Sequence, residues 1–140
     1  MAMNSEEIRW HYRFRNFSRA YTLLSEALER QVEELNELER EGAIQRFEYT
    51  FQLAWLTLKD RLEYGGIVFT EVTPRNVIQQ AFAAKLIDDA EVWIDMLVDR
   101  NLMSHTYDFA RFQEVLTSVR GRYLPVLSDF YQRFGLEALG

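Results

Sequence analysis

From Phe109 to Phe130 the chain places Phe109, Phe112, Leu116, Val119, Tyr123, Val126 and Phe130 at alternating steps of three and four. That spacing puts all seven side chains on one face of an α-helix. A half-buried strand needs alternation by two, and no stretch of this chain shows it. Only two prolines and six glycines interrupt the helical period. The chain is therefore predicted to be all-α.

The same period recurs upstream. Asn4-Ser5-Glu6-Glu7 supplies an N-cap and first-turn acids for a helix whose seam is Trp10, Phe14, Phe17, Tyr21, Leu24, Leu28, Leu35 and Leu38. Gln31 is the one polar interruption, and Gly42 predicts an end near Glu39. A second helix carries Ile44, Phe47, Phe51, Ala54 and Leu58 and stops at Gly65-Gly66. Ile67-Val68-Phe69 reads as an extended apolar connection over a bundle end. Thr73-Pro74, an N-cap followed by proline in the first turn, opens a short third helix through Val77, Ile78, Ala81 and Phe82.

Asp88-Asp89-Ala90-Glu91 has capping-box spacing before a fourth helix, in which Val92, Trp93, Ile94, Met96, Leu97 and Val98 are apolar nearly all round. Such a helix is expected to be buried on more than one side, against the core and against a second subunit. Asp108 caps the last helix. Its Pro125 presses on the carbonyl of Gly121, which predicts a kink rather than a stop. These segments predict a single domain over residues 1–140, an antiparallel up-and-down bundle of four longer helices and one short one, with a kinked last helix. The 48% apolar content exceeds what one small bundle needs to bury, and this too predicts a homodimer.

Composition narrows the chemistry. There is no cysteine, so disulfides, thiolate metal sites and cysteine nucleophiles are excluded. Two histidines and no carboxylate–histidine cluster at ligand spacing predict no catalytic metal and no cofactor. Residues 1–7 do not resemble a signal peptide, and no apolar run is long enough to span a bilayer, so a cytoplasmic protein with no membrane partner is expected. The net charge of −6 argues against a general nucleic-acid binder. Yet the charge is uneven. Seven glutamates stand against two arginines between Glu26 and Glu41. Arg100, Arg111, Arg120 and Arg122, by contrast, cluster in the last third and could form a local phosphate-facing surface.

The stretch Arg100-Asn101-Leu102-Met103-Ser104-His105-Thr106-Tyr107 brings an arginine, a histidine and a tyrosine into eight residues at the end of the fourth helix. Arginine grips phosphate oxygens in a bidentate fork, and histidine exchanges a proton near neutral pH. The same residues also read as a turn histidine and as a cation favoured at a helix C-terminus. In an unbroken helix Arg100 and His105 lie about 140° apart. Convergence on one phosphate therefore requires unwinding around Leu102–Ser104 or a meeting across a dimer. His11 has no arginine at useful spacing and reads as a surface residue.

Arg100-Asn101 followed after three residues by His105 resembles the Arg-polar-x-x-x-His motif of the HEPN superfamily, and Tyr107 extends it to the pattern of the HepT toxins. Residues 8–134 also resemble the nucleotidyltransferase substrate-binding branch. The more specific part is Phe47-Glu48-Tyr49-Thr50-Phe51-Gln52-Leu53-Ala54-Trp55. The resemblance implies a homodimer with two motifs in one cleft, acting as a metal-independent endoribonuclease toxin. It implies His105 as general base on an RNA 2′-hydroxyl, Arg100 as the clamp on the phosphate, and Asn101 as the residue that orients them. Tyr107 is implied as the hydroxyl that a separate minimal nucleotidyltransferase adenylylates to silence the toxin. The alternative is a non-catalytic nucleotide- or substrate-binding subunit of such an enzyme, and a third is a plain helical scaffold. The chain has no Gly-Ser followed by paired aspartates, so it is not the nucleotidyltransferase itself.

Overall fold

A computed structural model describes residues 2–105 and 108–139. Its helices are α1 (Ser5–Ala27), α2 (Glu37–Tyr64), α3 (Pro74–Ala83), α4 (Ala90–Met103), α5 (Phe109–Ser118) and α6 (Leu124–Leu139). A π turn, Val119–Tyr123, joins α5 to α6 in one continuous rod. No strand occurs among the described residues.

Cross-helix pairs set the directions. Glu7 meets Tyr64, Arg13 meets Asp60 and Leu23 meets Arg46, so α1 and α2 run antiparallel. Gln52 meets Arg100 and Glu48 meets Ser104, so α4 reverses α2. Trp10 packs on Phe134 and Phe14 on Tyr131, so α6 reverses α1. The result is the up-and-down bundle expected from the sequence, with α3 in the crossover against α2 and α4. Its centre is aromatic: Phe130 meets Phe17, Trp93 and Phe134 edge-on or tilted, the closest centroids 4.4 Å apart.

The first boundary departs from expectation. α1 ends at Ala27, a 3₁₀ turn follows at Val32–Glu34, and α2 begins at Glu37 rather than beyond Gly42. The cause is a capping box. The Asn36 side chain accepts from the Glu39 amide at 2.8 Å, and Glu39 accepts from the Asn36 amide at 2.9 Å. Arg30 locks the turn by donating to Glu39 and to the Glu34 carbonyl. Leu35 stays buried, whereas Leu38, expected in the seam, is 77% exposed.

The fourth helix also opens differently. Its cap is Asp89, which accepts from the Val92 amide, so the box expected from Asp88 and Glu91 does not form. Val92, Trp93, Met96, Leu97 and Met103 are buried in the protomer, Ile94 is half-buried, and Val98 is 51% exposed. α4 is thus buried on one side only within this chain. His11, read as a surface residue, is half-buried with its ring edge-on to Trp10 at 4.4 Å.

The remaining punctuation follows the sequence. Thr73 and Asp108 cap α3 and α5 through their side chains. Gly66, at φ +98°, closes α2 as the left-handed residue of a Schellman motif, with Ile67 donating to Leu62 and Gly66 to Glu63. In the connection beyond it Ile67 and Phe69 pack on the core and Val68 faces out. Pro125 does not end the last helix. The π turn just before it, where the Leu124 amide donates to the Val119 carbonyl five residues back, absorbs the missing donor.

Candidate functional site

α4 holds helical geometry to Met103. Ser104, still in right-handed φ/ψ, donates its amide to the Arg100 carbonyl, and the His105 amide donates to the Leu102 carbonyl at 3.2 Å. The helix therefore ends in a tightened turn after Met103, without the unwinding across Leu102–Ser104 that convergence requires. Among the described residues the His105 ring hydrogen-bonds to nothing, and it is exposed. Within one protomer the structure brings Arg100 and Asn101 together but does not join His105 to them. Tyr107 lies outside the described residues.

Arg100 is half-buried where α4 crosses α2. Its Nη1 donates to Gln52 Oε1 at 2.7 Å and its Nε to Asn101 Oδ1 at 3.1 Å. The guanidinium also lies 5.6 Å from the centre of the Phe51 ring. Both hydrogen-bond partners are neutral amides. Among the described residues Arg100 forms no ion pair, whereas Arg13, Arg30, Arg61, Arg111, Arg122 and Arg133 each do.

One turn before Gln52 on α2, Glu48 accepts a long 3.4 Å hydrogen bond from Ser104 Oγ. Burial raises the Glu48 carboxyl from its ordinary pKa, against the Ser104 hydrogen bond and the Arg100 charge. Burial likewise lowers Arg100, with Glu48 opposing, and an arginine so shifted remains charged. The α2 pair, Glu48 and Gln52, thus faces the α4 pair, Ser104 and Arg100, each spaced by four residues. Sequence reading did not assign Glu48 or Gln52 a role. The available signal was two long polar residues one turn apart in an otherwise aromatic and apolar run.

The basic residues expected near the motif are engaged elsewhere. Arg111 pairs with Glu114 on its own helix at 2.9 Å. Arg120 donates to the Leu28 carbonyl and to Gln31 Oε1, closing the α1 end. Arg122 pairs with Asp95 on α4 at 2.6 Å, a hydrogen bond that raises its pKa further. None of the three hydrogen-bonds to Arg100, Asn101 or His105. Beside them, the Tyr123 hydroxyl donates to Asp99 Oδ2 at 2.5 Å and fixes the residue next to Arg100. Among the described residues no group of three histidines or carboxylates is placed to hold a metal ion.

A family model described as nucleotidyltransferase substrate binding protein like matches residues 12–135. The chain belongs to that family. The family's span contains the whole α2–α4 contact just described. A curated relative, the probable ribonuclease HepT of Haemophilus influenzae, is 28% identical over 81 residues, which cover 56% of this chain and 56% of that protein. The chain thus matches little more than half the length of that relative. A crystal structure of a Thermus thermophilus protein shares the fold with a TM-score of 0.70 at 29% identity, over 87% of this chain and 98% of that one. No helix among the described residues is long and apolar enough to cross a membrane.

Proposed function

We propose that the protein is a metal-independent endoribonuclease of the HepT kind, working in the cytoplasm as the toxin of a pair with a minimal nucleotidyltransferase. The observation that carries this reading is the state of Arg100: oriented by two amides, partly desolvated, and not cancelled by a carboxylate. Such a cation is prepared for a phosphodiester and for the extra charge of its pentavalent transition state.

In this mechanism His105 takes the proton of a ribose 2′-hydroxyl. O2′ bonds to phosphorus, the P–O5′ bond breaks, and a 2′,3′-cyclic phosphate forms. The departing O5′ takes a proton to become a hydroxyl. Asn101 steadies the arginine through its Nε. His105 of one protomer works with Arg100 of the other, which accounts for their separation within one chain. The half-exposed strip of Ile94, Val98 and Leu102 on α4 is the surface that a second copy covers. Tyr107 is the regulatory hydroxyl: its oxygen attacks the α-phosphate of ATP on the partner enzyme, pyrophosphate leaves, and the adenylylated toxin is silent. Arg111, Arg120 and Arg122 form an outer basic surface for the RNA strand.

One observation favours a second reading, a non-catalytic subunit that presents nucleotide or polynucleotide to the nucleotidyltransferase. That observation is the exposed His105 ring, which no side chain among the described residues of its own protomer orients. Purified protein with RNA in EDTA separates the two. The nuclease reading expects fragments ending in 2′,3′-cyclic phosphate, lost in Arg100→Ala and His105→Ala and retained in Tyr107→Phe. Tight RNA or nucleotide binding with no cleavage by wild type replaces it with the second reading. Sedimentation as a monomer at micromolar concentration removes the shared cleft.

A further inference from the structure

The α2–α4 crossing gives one side chain two obligations at once. Gln52 Oε1 accepts from Trp55 Nε1 at 3.0 Å and from Arg100 Nη1 at 2.7 Å. A carbonyl oxygen has two lone pairs, so both are used, and the amide NH₂ cannot substitute because it only donates. Trp55 is buried, and its indole N–H therefore sets which way the Gln52 amide points before Arg100 arrives. With Nε on Asn101 and one Nη1 hydrogen on Gln52, the guanidinium keeps its Nη2 end for a ligand.

We infer that Gln52 is the positioning residue of this site, an amide that fixes the Arg100 guanidinium against α2 while leaving its positive charge whole for a phosphodiester. The inference rests on the reading of Arg100 as a phosphate contact. Its physical content lies in the choice of amide over acid. A glutamate at position 52 makes the same two hydrogen bonds, but it turns the contact into an ion pair like those that occupy Arg13 or Arg122. The acid at this crossing stands one turn away at Glu48, where it meets the Ser104 hydroxyl and not the cation. Orientation comes from the neutral group, and the charged one is kept off the fork.

The test uses the full chain and a short single-stranded RNA, fully 2′-O-methylated so that no 2′-hydroxyl can attack. Its affinity is measured by fluorescence anisotropy over a range of salt. Each phosphate contact on a single strand adds about 0.7 to the slope of log K against log salt. Arg100→Ala is expected to lower the slope by about that amount. Gln52→Glu is expected to match it and to bind about tenfold more weakly than wild type, although its thermal midpoint is unchanged or higher. Gln52→Met, which has the length but no acceptor, is expected to weaken binding with the charge still present. Wild-type affinity and slope in Gln52→Glu overturn the inference and leave Arg100 in place as the contact. If Gln52→Glu does not fold, wild-type affinity in Gln52→Met overturns it instead. An unchanged slope in Arg100→Ala overturns the phosphate reading itself, and the role of Gln52 with it.

Discussion

Glu48 reaches across to Ser104, the residue immediately before His105, and so ties the end of the motif helix to the middle of α2. Four residues on, Gln52 ties down Arg100. The motif is therefore held by a helix more than forty residues earlier in the chain, and the two elements of the site move as one.

Replacing the motif residues is expected to separate activity from folding. Arg100→Ala and His105→Ala should each lower RNA cleavage by on the order of 10²–10⁴. His105 is exposed and Arg100 only half-buried, so circular dichroism and thermal midpoint should stay close to wild type. Loss of the fold in both variants would make the motif structural.

The Glu48 carboxyl makes stability pH-dependent with a definite sign. Its folded pKa lies above the ordinary 4.5, chiefly from burial. Between those two values the folded state holds more protons than the unfolded one, so this group's contribution to stability falls as pH rises through the window. Glu48→Gln removes the penalty. Its midpoint should equal wild type near pH 4 and exceed it increasingly toward pH 7. A difference that shrinks as pH rises would show that attraction to Arg100 outweighs burial.

Lys85 holds a left-handed φ of 62° at the end of α3, where Leu86 donates to Ala81 and Lys85 to Phe82. A residue with a Cβ is disfavoured there by about 1–2 kcal/mol, part of which the flexibility of unfolded glycine offsets. Lys85→Gly should therefore stabilise the protein by about 0.5–1 kcal/mol in urea titration. Destabilisation would mean that the lysine side chain makes a compensating contact.

The Tyr123 hydroxyl, buried at the π turn, is raised above its ordinary pKa by burial and by Asp99, and it stays a donor through the alkaline range. Tyr123→Phe leaves Asp99 short of that hydrogen bond and should cost about 1.5–3 kcal/mol, read as a lower denaturant midpoint. Because Asp99 adjoins Arg100, RNA affinity should weaken with it. A neutral substitution would mean that water replaces the phenol.

Much of the fold is legible in the sequence because its signals are local. Thr73-Pro74, Gly65-Gly66, Asp108 and the three–four stripe of the last helix each act within a few residues. The departure at Asn36 has the same root: Leu35 and Leu38 continue the seam numerically, while the Asn36–Glu39 box is a local signal that overrides it. The α4 surface differs from expectation because apolar residues in sequence do not say which of them a single protomer covers. The site is legible only in half. Arg100 and His105 stand out by spacing, but Gln52 and Glu48 act across separations of 48 and 56 residues, which no local pattern reports.

The π turn at Val119–Tyr123 is in effect one residue of slack wound into the C-terminal rod. It sets the phase between α5, which lies against α2, and α6, which lies against α1. Removing Gly121 would restore a uniform helix and turn everything beyond it by about 100°. Phe130 and Phe134 would then swing away from the aromatic centre. The length of this segment is thus under tighter constraint than its composition: Gly121 has open space where a Cβ would stand and tolerates substitution, but not deletion.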